Sequence, residues 1–249
     1  MGQSQVGSSW TNYSTTTERG NMTNACDLVS SLNFKEKVKR SLILIRDARQ
    51  KYGDSLVVAN SLGKDSMAVW HLAMRIDPEI KGFIVTTRFK PRQTVSFMES
   101  LVKKYPNLQI FKNDCLIPDE LYKTDPDKCC EWLKVIPTRQ AIKEMNVKCW
   151  VTGLRCTEGR TRTDYAETEE RDPGLIKLNP ILLWTEREVW QYLALNKVDV
   201  NPIYEEGYRS TGCAPCTKIT LDPDERSGRW LGTSKCGGEC GIHTKPIME

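Results

Sequence analysis

The sequence predicts one α/β domain in which a parallel, twisted sheet is covered by helices on both faces. Short apolar runs alternate along the chain with longer segments of helical spacing, and this alternation is typical of parallel sheets. The 249 residues suffice for one large core but are few for two. Because every apolar run is far shorter than the roughly 18 residues of a membrane-spanning helix, we expect no membrane segment.

The individual elements follow from the spacing of apolar residues. These recur at helical spacing over 34–52, and Gly53 is suited to end that helix. Thr185 and Glu188 form a capping-box pattern, which predicts a helix that reaches Leu195. The other predicted elements are strands at 55–59, 83–86, 108–111, 149–152 and 175–178, and helices at 67–74, 92–105 and 130–145.

Composition divides the chain into three parts. Residues 1–33 are predicted to be a disordered extension, because Ser, Thr, Gly and Asn dominate its beginning. Residues 34–217 form the predicted folded domain. Residues 218–249 are expected to be a mobile tail over the active site, with Gly237 and Gly238 as its hinge. The start has no apolar run behind a basic cluster and does not resemble a secretory signal, so we expect a cytoplasmic protein.

Charge and cysteine content narrow the function classes. The net charge is only +4, with acidic and basic residues interspersed, so nucleic acid is not the indicated partner. Ten cysteines without a secretory signal favour metal ligation or thiol chemistry over disulfides. The sequence leaves the oligomeric state open, a homo-oligomer included.

The segment Ser61-Leu-Gly-Lys-Asp-Ser66 lies where a predicted strand ends and a predicted helix begins. Free backbone N–H groups and the helix dipole attract an anion at such a turn, so we expect it to bind phosphate. The candidate residues are Ser61, Gly63, Lys64, Asp65 and Ser66. The string resembles the phosphate loop of the PP-loop superfamily, with Leu62 in place of a usual glycine. That superfamily contains ATP-consuming enzymes and reductases, which the loop alone does not separate.

Two pairs of cysteines indicate a metal centre. Cys129 and Cys130 are adjacent, while Cys213 and Cys216 enclose an Ala-Pro pair. Four thiolates suit either tetrahedral zinc or a cubane iron–sulfur cluster. Structural zinc sites usually space their ligands more widely than an adjacent pair, so the first pair fits zinc poorly.

Five motifs follow one another in a characteristic order: Cys129-Cys130 with Lys134, Thr152-Gly-Leu-Arg155, Gly212-Cys213-Ala-Pro-Cys216, Glu225-Arg226-Ser-Gly-Arg229-Trp230 and Glu239-Cys-Gly-Ile-His243. The series resembles the iron–sulfur adenylyl-sulfate reductases of the sulfonucleotide reductase family. The resemblance implies a PP-loop fold, also described as adenine nucleotide alpha hydrolase-like. It also implies reduction of adenylyl sulfate (APS) to sulfite and AMP in sulfate assimilation, with thioredoxin or a glutaredoxin as electron donor.

The resemblance further implies roles for individual residues. Cys240 becomes the nucleophile that forms a thiosulfonate. From residue chemistry, His243 three residues away is expected either to help Cys240 ionise or to stabilise the leaving phosphate. The anionic groups of the substrate are assigned to Lys134, Arg155, Arg226 and Arg229. A [4Fe–4S] cluster is assigned to Cys129, Cys130, Cys213 and Cys216. Residue chemistry agrees, because a thiolate is a soft nucleophile for sulfur and guanidinium groups bind oxyanions through paired hydrogen bonds.

Several positions depart from the family pattern. Thr86-Thr-Arg-Phe-Lys-Pro91 stands where the reductases usually have an Asp-Thr-Gly segment. Cys156 occupies a position where a second arginine is common. Lys64 and Asp65 are closer to the ATP-consuming relatives than to typical reductases.

Three alternatives therefore stand beside APS reduction. They are reduction of the 3′-phosphorylated relative PAPS, an ATP-dependent sulfurtransferase or adenylating reaction, and a non-catalytic iron–sulfur module. In the family the cluster cysteines accompany APS rather than PAPS, so the presence of all four favours APS. Cys236, close to Cys240, is either a resolving thiol or a spectator.

Overall fold

The computed structural model describes residues 25–118, 120–159, 162, 164–236 and 238–248. Within them, six strands form one sheet in the order β3-β2-β1-β4-β6-β5. The strands are β1 Leu56–Ala59, β2 Lys81–Val85, β3 Leu108–Phe111, β4 Cys149–Val151, β5 Thr168–Asp172 and β6 Leu175–Leu178. All neighbouring strands pair in parallel except β5, which runs antiparallel to β6. The predicted α/β fold is confirmed.

Helices cover both faces of the sheet. In the described part of the chain they are α1 Phe34–Tyr52, α2 Lys64–Ile76, α3 Arg92–Lys104, α4 Leu121–Thr124, α5 Pro126–Cys130, α6 Ile136–Glu144, α7 Glu186–Leu195 and α8 Gly241–Thr244. The predicted helix at 130–145 is divided, because a π-helical turn over Glu131–Val135 separates α5 from α6. Pro137 explains the division, since it removes an N–H donor and its ring crowds the preceding turn.

Side chains of the central strands alternate between two cores. Leu56 and Val58 of β1 pack in the core that contains α1, α2 and α7, whereas Val57 lies in the opposite core with α6. Phe83 of β2 and Trp150 of β4 belong to the second core. A strand covered on both faces is apolar at successive positions, which is why these strands read as continuous apolar runs.

The sequence does not predict β5, and its composition explains why. The residues Thr168-Glu-Glu-Arg-Asp172 are polar and partly exposed at the edge of the sheet. Charged residues on an edge strand discourage pairing with other chains, so no apolar pattern marks the strand. The sheet is therefore parallel except at this edge, where β5 runs antiparallel to β6.

The described parts of both ends pack against the domain. Of the extension predicted at 1–33, residues 1–24 lie outside the described residues, and Ala25–Leu28 forms a 3-10 helix. In the tail, Trp230 and Ile247 are almost fully buried, and α8 contacts the π-helical turn. Gly237, one half of the predicted hinge, also falls outside the described residues. No helix in the described ranges combines the length and apolarity needed to cross a membrane.

Candidate active site

A cavity of about 200 Å³ lies at the carboxyl ends of β1, β2 and β4. Ligands commonly bind at this edge of an α/β sheet, where the strand order reverses. Residues at and just after the end of each of these strands line the cavity, and residues of the tail line its remaining side. Nine of the predicted site residues line the cavity: Ser61, Gly63, Asp65, Ser66, Lys134, Arg226, Arg229, Cys240 and His243.

The predicted phosphate loop is held in place by neighbouring side chains. Asn60 Oδ1 accepts hydrogen bonds from the Leu62 amide at 2.8 Å and the Ser66 hydroxyl at 3.1 Å. The Tyr204 hydroxyl accepts from the Lys64 amide at 2.8 Å. Leu62 has a left-handed backbone, with φ 68°, that a glycine would adopt more easily. Its fully buried side chain offsets that cost.

Lys64 does not line the cavity. Its Nζ lies 2.8 Å from Glu225 Oε2 and 3.6 Å from Asp65 Oδ2, and it donates to the Arg209 carbonyl at 2.9 Å. Burial alone would lower the pKa of Lys64, but the carboxylates of Asp65 and Glu225 raise it above its usual value. The lysine is therefore a permanent cation that ties the loop to the segments around Arg209 and Glu225.

Arg155 also lies inside the protein rather than at the cavity. Its fully buried guanidinium donates to Asp65 Oδ1 at 2.6 Å and to the two Glu225 oxygens at 2.9 and 2.6 Å. Burial would raise the pKa of Asp65, but Arg155 and Lys64 lower it below its usual value. We refer to Lys64, Asp65, Arg155 and Glu225 as the buried charge network. Lys64 and Arg155 were both predicted to bind the substrate. Instead they form ion pairs with the carboxylates of this network.

A second set of ion pairs attaches the tail to the cavity wall. Arg162 donates to the two Glu239 oxygens at 2.7 and 3.2 Å and also pairs with Glu158. Arg226 donates to Glu239 Oε1 at 2.9 Å. Burial would raise the pKa of Glu239, but both guanidinium groups lower it well below its ordinary value. The ionised Glu239 accepts from the amide of Cys240 at 2.7 Å and so positions this residue.

Three cations near Cys240 form no ion pair with a carboxylate of the described residues, and we refer to Lys90, Lys134 and Arg229 as the cation cluster. The Arg229 guanidinium lies 4.5 Å from the centroid of the Trp230 ring. Burial lowers the pKa of Lys90 to about 8, and repulsion from Lys134 and Arg229 adds to the shift. Cations held together without counter-ions create a local positive potential that favours an anion.

Cys240 lies between the cavity and the other cysteines. Its half-buried side chain packs against Trp230 and the cysteines of the Cys-Ala-Pro-Cys motif. The His243 ring stacks 6.1 Å from the Trp150 ring, and its buried Nδ1 has no partner in the described part of the chain. Burial lowers the pKa of His243 well below its ordinary value, so the imidazole is neutral at neutral pH. A neutral imidazole can accept a proton but contributes no positive charge.

The four predicted cluster cysteines line one narrow cavity of about 10 Å³: Cys129, Cys130, Cys213 and Cys216. All four are buried. Burial and the neighbouring thiols raise the pKa of Cys129 to about 12. For Cys213, Lys134 and Lys90 outweigh burial and lower the pKa. Among the described residues, no group of three or more His, Cys, Asp or Glu side chains is arranged to hold a metal ion.

Sequence reasoning missed other parts of the site. Tyr204 supports the phosphate loop from a region without any recognisable motif. Lys90 lies in the segment that departs from the family pattern, and this departure was the available signal. Arg162 belongs to no motif of the series, and the structure places it in the cavity wall with its charge paired to Glu239.

The fold and the cavity define the class, a PP-loop type α/β protein. The phosphoadenylyl-sulfate (PAPS) reductase of Candida auris, solved as a phosphate complex, has a TM-score of 0.63 at 22% identity, covering 80% of this chain and 100% of that one. The FMN adenylyltransferase of Candida glabrata has a TM-score of 0.60 at 13% identity, covering 85% and 79%. At these identities the two likenesses establish the fold.

Sequence comparison identifies the family. The model of the phosphoadenosine phosphosulfate reductase domain matches residues 55–219, and the chain belongs to this sulfonucleotide reductase family. It is 34% identical over 225 residues to the adenosine 5′-phosphosulfate reductase of Geobacillus sp. (strain WCH70), covering 86% of this chain and 94% of the relative. It is 32% identical over 217 residues to adenosine 5′-phosphosulfate reductase 1 of Bacillus subtilis (strain 168), covering 82% and 91%. The predicted family is confirmed.

Proposed function

We propose that this enzyme reduces APS to sulfite and AMP through a thiosulfonate on Cys240. One observation carries the proposal: the Cys240 thiol, the cation cluster and the phosphate loop border the same cavity. A nucleotide with its phosphate at the loop would therefore have its sulfonyl group within the same enclosure as a nucleophile. The relatives named adenosine 5′-phosphosulfate reductase support this choice of substrate.

The chemistry has two half-reactions. The Cys240 thiolate attacks the sulfonyl sulfur, the bond from sulfur to the phosphate oxygen breaks, and AMP leaves with the electron pair. One thiol of an external dithiol then attacks the Cys240 sulfur, and sulfite leaves. The second thiol displaces the Cys240 thiolate as the donor closes to a disulfide, so that the dithiol supplies the two electrons. Thioredoxin or a glutaredoxin is the donor we assign. Such thiol chemistry suits the reducing cytoplasm.

The residues of the cavity divide this work among them. Lys134, Arg226 and Arg229 hold the phosphosulfate oxygens, since charge-assisted hydrogen bonds to oxyanions are the stronger kind. Arg226 also forms an ion pair with Glu239. It would therefore contact the substrate and Glu239 at the same time. His243 is neutral and has an unpartnered Nδ1 among the described residues. Because its lowered pKa makes it a weak base, we assign it a hydrogen bond to the substrate rather than uptake of the thiol proton.

A [4Fe–4S] cluster on Cys129, Cys130, Cys213 and Cys216 is part of the proposal. The donor set fits it, because four buried thiols from two separate segments line one narrow cavity. Structural zinc sites usually space their ligands by two to four residues, whereas Cys129 and Cys130 are adjacent. A cubane spreads four thiolates around a larger centre. When bound, it would supply a redox-active, anionic centre next to Lys134.

Two alternatives are weighed by particular observations. PAPS reduction is the second candidate, because the matching domain model bears the name of that substrate. An ATP-dependent reaction rested on Lys64 and Asp65. Lys64 is paired with Glu225 and does not line the cavity, so it is not available to an ATP phosphate.

The test measures sulfite formation by protein purified without oxygen, with APS or PAPS as substrate and thioredoxin as donor. We expect sulfite from APS at a higher kcat/KM than from PAPS, and no pyrophosphate from ATP. Higher kcat/KM with PAPS would transfer the proposal to that substrate, and pyrophosphate release without sulfite would overturn it. Iron and acid-labile sulfide in the same preparation test the cluster, and stoichiometric zinc without sulfide would contradict it.

The nucleophile is tested separately with Cys240→Ser. This variant should bind APS but release no sulfite, while wild-type protein given APS without a dithiol should carry a sulfonate on the Cys240 peptide. A sulfonate on another cysteine, or an active Cys240→Ser variant, would contradict the mechanism.

A further inference from the structure

Lys90 is a cation in the cavity that neither the motif series nor the proposed mechanism uses. It follows β2 at the carboxyl edge of the sheet and lines the cavity together with Lys134, Arg229 and Cys240. It lies in the segment 86–91, which departs from the reductase pattern. Its position is therefore a property of this chain that the family resemblance does not explain.

The backbone around Lys90 is fixed to the cysteine loop. The Lys90 amide donates to the Thr87 carbonyl at 3.2 Å, which closes a tight turn. Thr87 Oγ1 lies 3.3 Å from Cys213 Sγ, and the Phe89 carbonyl accepts from the Ala214 amide at 2.8 Å. Because these contacts hold both sides of the turn, the side chain of Lys90 projects from a defined position rather than from a free loop.

No carboxylate of the described residues forms an ion pair with Lys90. Its charged neighbours are the Cys213 and Cys240 thiols and the cations Lys134 and Arg229. Wherever these thiols are protonated, the three cations repel one another. Arg155, another of the cations expected to bind the substrate, is committed to Asp65 and Glu225. Lys90 thus supplies a positive charge at the cavity where Arg155 does not.

We infer that Lys90 is a substrate-binding residue whose ammonium, with Lys134 and Arg229, holds the sulfonyl oxygens of the sulfonucleotide beside Cys240. The inference rests on the proposed function. The phosphate loop leads into the N-terminus of α2, where the helix dipole favours a phosphate, while the cation cluster lines the same cavity as the thiol that receives the sulfonyl group. The sulfonyl oxygens keep their negative charge as sulfur passes from the phosphate oxygen to Cys240, so the same cations serve substrate and product.

The binding test compares two nucleotides in the Cys240→Ser background, where no transfer occurs. Lys90→Met should weaken APS about ten- to hundredfold, which is the effect of one charge-assisted hydrogen bond. AMP has no sulfonyl group, so its Kd should change by less than about threefold. Lys90→Arg should restore most of the APS affinity. Lys103→Met, an exposed lysine of α3, is the matched control and should leave both Kd values unchanged.

A second readout does not depend on any nucleotide. In wild-type protein we expect anionic iodoacetate to alkylate Cys240 unusually fast relative to neutral iodoacetamide, because the cations attract the anion. Lys90→Met should reduce this ratio several-fold, and Lys103→Met should not. Equal losses of AMP and APS binding, or an unchanged alkylation ratio, would overturn the assignment. If wild-type protein makes no sulfite from APS but the ratio still falls, the proposed function fails and the anion site stands.

Discussion

The buried charge network and the cation cluster contain similar residues but differ in what balances their charges. In the network, each of the four charged groups has opposite charges at 2.6 to 3.6 Å. In the cluster, Lys90, Lys134 and Arg229 have no carboxylate partner among the described residues. A motif therefore identifies a cation, but only its pairing shows whether that charge is available to a substrate.

The difference follows from the energetics of buried charge. A charged group removed from water loses several kcal/mol of hydration, and a partner must replace it. Lys64 and Arg155 obtain this compensation from Asp65 and Glu225 within the fold. The cation cluster has no carboxylate partner among the described residues, and its anionic neighbours are thiol groups. We therefore expect an anionic substrate to bind there. The first region should thus govern stability and the second should govern binding.

The largest expected effect is on stability, from Arg155→Met. Removing this guanidinium leaves Asp65 and Glu225 to share Lys64, and breaking a buried ion pair costs about 3–5 kcal/mol. Urea unfolding at neutral pH should show this loss in the free energy of unfolding. The rate of sulfite formation, measured at urea concentrations well below the unfolding midpoint, should change less, in free-energy terms, than the free energy of unfolding.

A matched control is available at the surface. Arg40 donates to the two carboxylate oxygens of Glu167 at 2.7 and 2.5 Å, but its side chain is 47% exposed. Arg40→Met should cost at most about 1 kcal/mol, because water screens exposed pairs. Equal losses for Arg155→Met and Arg40→Met would break the distinction between buried and exposed charge.

The next effect is on binding, from Lys134→Met. This change removes a cation without removing the partner of any carboxylate in the described structure, so stability should stay within about 1 kcal/mol of wild type. The Kd of APS should rise about ten- to hundredfold. Calorimetric titration and urea unfolding of the same preparation, after its iron content is checked, measure both quantities. A large stability loss with unchanged affinity would assign Lys134 to the first region.

Sequence was sufficient wherever the signal was local. The strand at 108–111 has the bounds found in the structure, and the Thr185 capping box that predicts α7 is present with both of its hydrogen bonds. Cys240, His243 and four of the five loop residues also line one cavity, whereas Lys64 does not. These features depend on neighbouring residues or on a recognisable family pattern.

The remaining features depend on contacts between distant segments. Lys64 was expected to contact the phosphate. Instead its ammonium group forms an ion pair with Glu225, which is distant from it in the sequence. The sequence could not assign Lys90 to the cavity, because nothing in its own segment shows that the Phe89 carbonyl accepts a hydrogen bond from the Ala214 amide. Pairing is a property of the folded chain, so a list of charged residues does not reveal it.

A smaller effect is expected from Glu239, which belongs to neither region but attaches the tail to Arg162 and also pairs with Arg226 within the tail. Glu239→Gln should weaken this attachment by roughly 1.5–3 kcal/mol, the value of hydrogen bonds to a charged group. Hydrogen exchange of tail amides should therefore be faster, whereas exchange in β1 and β4 should not change. Glu205→Gln, at an exposed position, serves as control. Unchanged tail exchange would show that other contacts hold the tail.

The smallest effect is expected from Cys236, which shares the tail with Cys240 but not its surroundings. Cys236 is exposed, whereas Cys240 packs against Trp230 in the cavity beside the cation cluster. If this environment rather than the thiol alone confers reactivity, Cys236→Ser should leave kcat/KM within about twofold of wild type, as for most surface substitutions. The sulfonate should still map to Cys240 after incubation with APS. A large fall in turnover that excess dithiol repairs would instead make Cys236 a resolving thiol. Turnover would then depend on both Cys236 and Cys240, and the cation cluster around Cys240 would not by itself account for the reactivity of that thiol.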